Sequence, residues 1–429
     1  MAEQREDLKS VDPLRVLHLI DGLGGGGSER WVWDIVRLSQ PTLCKHFVIT
    51  VCPDNTQCVY SEPLRSRGAY GQPRHSPILE WLERVVRKLA PIPYVWPLRK
   101  VLSAMWRLLN ALSLTWYLAV ALVRFAPDVV HVHTFRGLRA GVLIGRIFRL
   151  PLVHSVPALF SQMTDAGFEG IPRFYRSQER WIARFVTGAS VSELLSLKIP
   201  TAKIMAIHGT IDLKSVHRVH EQKQYYYSAI RREVTLLPDS LIALSVGRLH
   251  PSKGHLFALE AMQHLVRQFP NLHWIVLGEG DQRAELEARV RSLHLEEHVH
   301  LLGFQREPLP YYAAANIYLR TPVFESENLS SYQAMAMGLP VVGFDTGCET
   351  ELLAKSGHGV LVPTKNSDAL AGAVAGILSL PDRGVQIGAR GADYCRQHLD
   401  IARTISELTD LYRCLGRKEE GECPSVLTV

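Results

Sequence analysis

Short apolar runs alternate along this chain with longer amphipathic stretches, and that rhythm constrains the fold more than any other feature of the sequence. Apolar runs separated by helix-length segments are typical of strands that pair in parallel through crossover helices. Two successive series of such runs are present, which predicts two doubly wound α/β domains. The length of 429 residues agrees with this, because one hydrophobic core rarely serves so long a chain.

The first series of apolar runs predicts strands at 15–20, 46–52, 128–133 and 152–156, and it closes near 203–212. The second series predicts strands at 241–249, 272–280, 299–304, 316–320, 340–345 and 359–363. A charged, tyrosine-rich segment at 214–239 lacks a strand pattern, and we place the linker there. Helical patterns fill 367–415, and the remaining residues read as a frayed tail.

The cysteines and histidines show no metal-site spacing. Seven cysteines are scattered without a C-x-x-C pair, and no cleavable signal pattern precedes the first strand. His131 and His133 lie on a predicted strand without cysteine or carboxylate ligands nearby in the sequence. We therefore predict no structural zinc and a reducing, cytoplasmic setting.

The formal net charge of +6 is concentrated in one segment, residues 80–125, which holds seven Lys or Arg and two Glu. Its apolar stretch 101–123 approaches transmembrane length, but Arg107 and Asn110 interrupt it, so we predict no membrane span. With its tryptophans, the segment suits docking on an anionic bilayer, while packing in the core is an equally weighted alternative. The sequence shows no nucleic-acid-binding module, which argues against a nucleic-acid partner.

A glycine loop follows the first predicted strand. Gly22, Gly24 and Gly27 have the G-x-G-x-x-G spacing, and such a loop lets the backbone approach a phosphate at a helix start. A dinucleotide site would need an acidic residue after the next strand, and Asp54 is the only candidate. Another phosphate-bearing ligand and a purely structural turn are the alternatives.

A second candidate loop follows the strand at 241–249. Gly247, Arg248, Lys253 and Gly254 lie between that strand and the start of a helix. Two cations and a helix N-terminus at the carboxyl end of a parallel strand suit a diphosphate. Each charge-assisted hydrogen bond there would contribute roughly 1.5–3 kcal/mol.

Several motifs, in order and at characteristic spacing, resemble those of family 4 glycosyltransferases. This resemblance implies the GT-B fold, with two Rossmann-like domains facing a cleft and a final helix crossing back to the first domain. It also implies retaining transfer without a metal or other cofactor, and domains at 1–213 and 214–400, a crossing helix at 401–416 and a flexible tail at 417–429. The matching segments are 24–29, 127–133, 191–193, 208–212, 246–254, 278–287, 301–304 and 324–353.

The resemblance also implies roles for individual residues. Arg248 and Lys253, with Gly247, match the positions that hold the donor diphosphate. His133 matches a histidine that lines the cleft near the donor sugar, and we expect His131 to face the sheet instead because strand side chains alternate. The lip of the cleft in the first domain corresponds to Gly25, Gly26 and Gly27.

The family signature departs from its usual form at one position. It has two glutamates separated by seven residues, and here Gln333 replaces the second, which in the family accepts hydrogen bonds from the nucleotide ribose. Ungapped counting makes Glu325 the first glutamate, whereas the residues 327–331 resemble the family segment that follows its first glutamate. We favour Glu325 and keep Glu327 as the alternative. The donor-side positions implied by this segment are Glu327, Asn328, Leu329, Ser330 and Gln333.

Together these motifs predict sugar transfer from a nucleotide-diphosphate sugar to a glycan, lipid-linked or small-molecule acceptor. Glu325 and His133 would orient the sugar, in envelope polysaccharide or glycoconjugate synthesis at the inner face of the membrane. A carboxylate offers two acceptor oxygens whereas glutamine offers one, so Gln333 would weaken donor binding by about 1–2 kcal/mol. A sugar-nucleotide binder without catalysis is therefore the second hypothesis, and an NAD-dependent oxidoreductase is the third.

Overall fold

The chain forms two compact units in the structure, which is a computed structural model. The first unit comprises Met1–Pro157, Ser177–Val186 and Glu407–Val426, and the second comprises Ala158–Arg176, Thr187–Ser406 and Leu427–Val429. The structure describes residues 12–23, 27–51, 59–71, 101–102, 104–105, 109, 117–156, 171–187, 191–207, 210–323, 329–346, 353, 357 and 359–417.

The first sheet has seven strands in the order β3-β2-β1-β4-β5-β6-β7. The pairs from β3 to β6 are parallel. The crossovers reverse direction between β1 and β4, and ligands of open α/β sheets bind where the order reverses. The strands are β1 Leu14–Ile20, β2 Cys44–Thr50, β3 Tyr70–Gly71, β4 Val129–Val132, β5 Leu152–Ser155, β6 Arg184–Thr187 and β7 Ile204–Ala206.

The second sheet has six strands in the order β10-β9-β8-β11-β12-β13, and all neighbours are parallel. Its reversal point lies between β8 and β11, so the loops after these two strands meet at the place expected for a ligand. The strands are β8 Leu241–Val246, β9 Leu272–Leu277, β10 Val299–Leu301, β11 Ile317–Arg320, β12 Val341–Phe344 and β13 Gly359–Val362.

Helices connect these strands, and no helix of the described residues is both long enough and apolar enough to cross a bilayer. Residues 117–125 are helical as well. The α-helices whose two ends lie among the described residues are α1 Gly27–Leu38, α2 Ser61–Ser66, α3 Phe135–Phe148, α4 Ile171–Gln178, α5 Val191–Ser196, α6 Leu213–Glu221, α7 Lys223–Glu233, α8 His255–Gln268, α9 Arg283–Ser292, α10 Leu309–Ala314, α11 Leu329–Ala336, α12 Ser367–Leu378, α13 Val385–His398 and α14 Ile401–Arg417.

The strands bury nearly continuous runs of Val, Ile and Leu because helices cover both faces of a parallel sheet. Every predicted run of the second series contains a strand, which confirms the doubly wound α/β prediction. In the first sheet, β3 and β6 are strands that the apolar pattern missed, since β3 has two residues and β6 begins with a charged one.

The segment at 214–239, where we placed a linker, differs from that expectation because it forms α6 and α7. The guanidinium of Arg231 is buried and donates to the carbonyls of Ala314 and Ser240. The hydroxyl of Tyr311 donates to Glu233 at 2.8 Å. Arg231 and Glu233 therefore hold this segment within the second unit, where backbone carbonyls accept from both terminal nitrogens of the buried guanidinium.

Candidate functional site

The loop 247–254 continues from β8 at the reversal point of the second sheet. The backbone N–H of Gly247 donates to the carbonyl of Leu277, and that of Leu249 donates to the carbonyl of Glu279. A Cβ atom on Gly278, whose φ is +153°, would lie 1.8 Å from the carbonyl oxygen of Gly247. The loops after β8 and β9 thus pack backbone against backbone, which fixes where Gly247 and the following residue lie.

The end of the same loop is fixed to the strand beyond the reversal point. Gly254 has φ +64°, and a Cβ there would lie 2.0 Å from the carbonyl oxygen of Thr321. The hydroxyl of Thr321 donates to the carbonyl of Lys253 at 3.1 Å, and the N–H of Val323 donates to the carbonyl of Ser252 at 2.8 Å. Only glycine tolerates both this conformation and this approach, so the start of α8 depends on Gly254.

Three predicted donor residues come together in this loop. Arg248 is exposed and Lys253 is half-buried. A Cβ atom on Gly247 would contact the Cδ atom of Lys253 at 4.0 Å, so the lysine stem passes over the glycine. Helix α8 begins at the next residues without a side-chain cap, and its first N–H groups carry partial positive charge. The arrangement suits a diphosphate anion, as the sequence predicts.

Helix α11 carries the remaining described donor-side residues. Leu329 and Ser330 form its first turn, and Gln333 lies half-buried one turn later. The predictions for Glu325, Glu327 and Asn328 fall outside the described residues, so the choice between the two glutamates stays open.

In the first unit, polar groups meet at the carboxyl ends of β1 and β4, the reversal point of that sheet. The N–H of His133 donates to the carbonyl of Leu19 at 2.9 Å. The hydroxyl of Thr134 donates to a carboxylate oxygen of Asp21 at 2.6 Å. Asp21 follows β1 directly, and no sequence motif predicts a role for it. Gly27 starts α1, whereas Gly25 and Gly26 lie outside the described residues.

His133 belongs to a buried histidine cluster that sequence analysis did not recognise. Register explains the cluster, because His18 on β1 pairs with His131 on β4, while His46 on β2 pairs with Val16, two residues before His18. The four imidazoles therefore share one face of the sheet. The sequence signal for this cluster is that three predicted strands, 15–20, 46–52 and 128–133, all carry histidines.

The expectation that His131 faces away from His133 is wrong. Alternation separates adjacent residues, whereas residues two apart on a strand lie on the same face. Accordingly, the ring centroids of His131 and His133 are 4.0 Å apart. Nδ1 of His131 lies 2.6 Å from the hydroxyl of Tyr412 on α14, and Nε2 lies 2.8 Å from the hydroxyl of Ser155.

Burial keeps this cluster neutral. Burial lowers the pKa of His18, His131 and His133 well below the usual value, and nearby imidazoles lower it further. For His46 burial lowers the pKa to about 4. His154, on the opposite face of β5, also has its pKa lowered to about 4 by burial, although a hydrogen bond to Val132 opposes this.

One group of described residues has the spacing of a metal site. Ligand atoms of His18, His131 and His133 all lie within 4.8 Å of one another. Both nitrogens of His131 already have hydrogen-bond partners, and Nδ1 of His18 lies 2.8 Å from Nε2 of His133. Two nitrogens on one tetrahedral zinc would lie ~3.3 Å apart, so the geometry is that of a shared proton.

The sequence matches two family models that together span most of the chain. Residues 26–193 match the model described as a glycosyl transferase 4-like domain, and residues 228–393 match glycosyl transferases group 1. The first match begins inside the glycine loop, and the second contains the whole loop 247–254 and α11.

Known proteins with similar sequences include two bacterial enzymes. The chain is 24% identical to the alpha-monoglucosyldiacylglycerol synthase of Acholeplasma laidlawii over 50% of its own length and 58% of that protein. It is 35% identical to a Campylobacter jejuni N-acetylgalactosaminyltransferase acting on N-acetylgalactosamine-N,N'-diacetylbacillosaminyl-diphospho-undecaprenol, over 31% of this chain and 36% of that one. The chain thus spans about three fifths or less of these relatives.

Among solved structures, the fold is similar to that of HepE from Anabaena in complex with UDP-glucose. The TM-score is 0.70 at 17% identity, and the match covers 92% of this chain and 98% of that chain. At this identity the likeness shows the fold alone, and it agrees with two Rossmann-like parallel sheets.

Proposed function

The chain belongs to the group 1 glycosyltransferases, and on that premise we propose that it moves a sugar from a nucleotide-diphosphate sugar to an acceptor hydroxyl with retention at the anomeric carbon. The observation that carries the proposal is the loop 247–254, where Arg248, Lys253 and the uncapped start of α8 follow β8 beside the reversal point of the second sheet. HepE, with a similar fold, binds UDP-glucose.

The proposed chemistry needs charge stabilisation more than a protein nucleophile. The bond from the anomeric carbon to the leaving phosphate breaks while the acceptor oxygen bonds to the same face of that carbon. Negative charge develops on the diphosphate, and Arg248, Lys253 and the N–H groups of α8 would stabilise it. The acceptor proton passes to the departing phosphate oxygen, so the products are the glycoside and the nucleoside diphosphate. We propose no metal or cofactor for this step.

The other candidate residues would contact the sugar and the nucleotide. His133, at the carboxyl end of β4, would orient the sugar together with Glu325. Gln333, one turn into α11, would contact the ribose with one amide oxygen instead of two carboxylate oxygens. Replacing Gln333 by Glu should therefore tighten donor binding by about 1–2 kcal/mol, roughly tenfold in Kd.

We further propose that the acceptor is lipid-linked and that the first unit docks on an anionic membrane. The names of the two curated relatives contain a diacylglycerol and an undecaprenol diphosphate. On α3, Leu143, Ile147 and Phe148 are exposed, and the guanidinium of Arg146 lies 4.4 Å from the ring centroid of Trp181. Exposed apolar side chains beside arginines suit the headgroup region of acidic lipids.

For the segment 80–125 the sequence weights membrane docking and core packing equally. Leu118, Ala121 and Leu122 are buried, which favours core packing for the end of the segment, whereas the described residues at 101–109 favour docking. Val101, Met105 and Leu109 are exposed and spaced four residues apart, as on one face of a helix. Trp81, Trp96, Trp106 and Trp116 lie outside the described residues.

The transfer proposal is tested by measuring nucleoside diphosphate release with Arg248→Ala and Lys253→Ala. UDP-glucose is the first donor to try, and a thermal-shift screen of other nucleotide sugars selects the next. Losing one charge-assisted hydrogen bond should lower kcat/KM roughly 10- to 150-fold. The matched control is Arg267→Ala, which removes an exposed cation from the far end of α8. Variants at both loop positions that turn over like the wild-type chain would contradict the assignment.

A second candidate function is sugar-nucleotide binding without transfer, and Gln333 is the residue that favours it. Under this hypothesis a nucleotide sugar stabilises the chain against heat, while no acceptor, including water, releases the nucleoside diphosphate. Detectable turnover by the purified chain rules out this alternative, and restored turnover in Gln333→Glu alone would establish it.

A further inference from the structure

Three histidines on neighbouring strands form a continuous hydrogen-bonded line that ends at His133. Nδ1 of His18 lies 2.8 Å from Nε2 of His133, and Nε2 of His18 lies 2.8 Å from Nδ1 of His46. Among the residues that the structure describes, the two terminal atoms, Nε2 of His46 and Nδ1 of His133, are buried without a hydrogen-bond partner.

This line allows only two arrangements of protons. A neutral imidazole carries one N–H and one lone pair, so His18 must donate through one nitrogen and accept through the other. If His18 donates from Nδ1, His133 accepts at Nε2 and carries its proton on Nδ1, and His46 donates from Nδ1. If the direction is reversed, all three carry the proton on Nε2. The three imidazoles therefore always share one tautomer.

The two arrangements present opposite groups at the end of the line. In the first, the free Nδ1 of His133 is an N–H donor, and in the second it is a lone-pair acceptor. Each arrangement leaves one buried N–H at one end of the line and one buried lone pair at the other. Because the number and kind of unsatisfied groups are the same, they favour neither arrangement. A hydroxyl group placed at Nδ1 of His133 can serve either arrangement, because it donates and accepts.

We propose that His18 and His46 are positioning residues that set the tautomer of His133 and thereby decide whether its Nδ1 donates to or accepts from a hydroxyl of the donor sugar. This inference deepens the proposed function and rests on it for the identity of the ligand. The line itself is a property of the chain without ligand. A change at His46, two hydrogen bonds from Nδ1 of His133, should thus alter how the sugar is held.

Nuclear magnetic resonance of the ¹⁵N-histidine-labelled full chain tests the shared tautomer directly. Long-range ¹H–¹⁵N correlations distinguish Nδ1–H from Nε2–H, and single-histidine variants assign the signals. We expect equal tautomer populations at His18, His46 and His133, and a population at His133 that shifts in His18→Phe. Opposite tautomers at His18 and His133, a doubly protonated His18, or stoichiometric zinc in the purified protein would overturn the proposal.

Kinetics of His46 variants test the consequence for the sugar. His46→Phe keeps a ring but removes the bond to His18, and we expect kcat/KM for the donor to fall about fivefold. His46→Asn should restore it, because an amide atom of asparagine occupies the place of Nδ1. Equal rates in wild type and both variants would refute the positioning role. The tautomer measurement needs no turnover, so a failure of the proposed transfer leaves it interpretable.

Discussion

The hydroxyl of Tyr412 lies 2.6 Å from Nδ1 of His131, although 281 residues separate them in the sequence. Tyr412 is on α14, the last helix of the described residues, and His131 is on the central strand β4, so this hydrogen bond joins α14 to the core of the first unit. His131 lies beside His133, and α14 therefore covers the sheet face that carries the histidine cluster.

We expect Tyr412→Phe to destabilise the protein by about 1–3 kcal/mol, because it leaves the buried Nδ1 of His131 without its partner. The midpoint of urea unfolding measures this change. The matched control is Tyr225→Phe, which removes a hydroxyl from a side chain that is 63% exposed. If the two variants unfold at the same midpoint, the hydrogen bond to His131 contributes nothing measurable.

Acidification between pH 6.5 and pH 4 should lower the free energy of unfolding. Burial lowers the pKa of His46 and His154 to about 4, so in this range the unfolded chain binds protons that the folded chain does not. The contribution of each such histidine to the free energy of unfolding is fully present above pH 6.5. It is lost as the pH falls toward 4, at up to ~1.4 kcal/mol per pH unit.

The variant His154→Phe should have a smaller pH slope than the wild-type chain, by about one bound proton. Chemical denaturation at several pH values gives both slopes. An unchanged slope in His154→Phe would show that its imidazole is not neutral at low pH.

Replacing Gly254 by Ala should destabilise the second unit and disrupt the donor loop. The substitution combines a left-handed backbone with a Cβ atom 2.0 Å from the Thr321 carbonyl oxygen, and backbone strain alone costs about 1–3 kcal/mol. Gly338→Ala is the matched control, since Gly338 has φ +80° but nothing within 4 Å of its Cβ position. We expect the Gly254 variant to unfold at lower urea concentration than the Gly338 variant, and equal midpoints would contradict the close approach.

The exposed side of α3 should contribute to membrane binding. Ile147→Asp removes an apolar side chain that is 63% exposed. We expect it to bind phosphatidylglycerol vesicles about tenfold more weakly, as measured by co-sedimentation. Leu237→Asp, at a side chain of the second unit that is 69% exposed, should bind vesicles like the wild-type chain. Equal binding by both variants would remove α3 from the docking surface.

The parts of the fold that follow from local periodicity could be predicted from the sequence. The six strands of the second sheet are apolar runs, and four of them are buried along nearly their whole length. The loop after β8 is recognisable from Arg248, Lys253 and a helix start. Features that depend on register could not be read in this way. The histidine line requires knowing that Val16 pairs with His46 and that His18 pairs with His131, and no local pattern fixes these pairings.

Other misses have different physical causes. Segment 214–239 was interpreted as a linker because it is charged and tyrosine-rich and lacks a strand pattern, yet the guanidinium of Arg231 is buried among backbone carbonyls. Strand β6 is short and starts with Arg184, so its apolar signal is weak. His131 was misplaced through an error of strand geometry, since side chains two residues apart share a face.

The central claim is that a diphosphate binds the loop 247–254, and a crystal structure of the chain with UDP tests it most directly. We predict phosphate oxygens within hydrogen-bonding distance, about 2.7–3.2 Å, of the Arg248 guanidinium, the Lys253 ammonium group or the first N–H groups of α8. A structure in which UDP binds elsewhere, with Arg248 and Lys253 in contact only with water, would contradict the account.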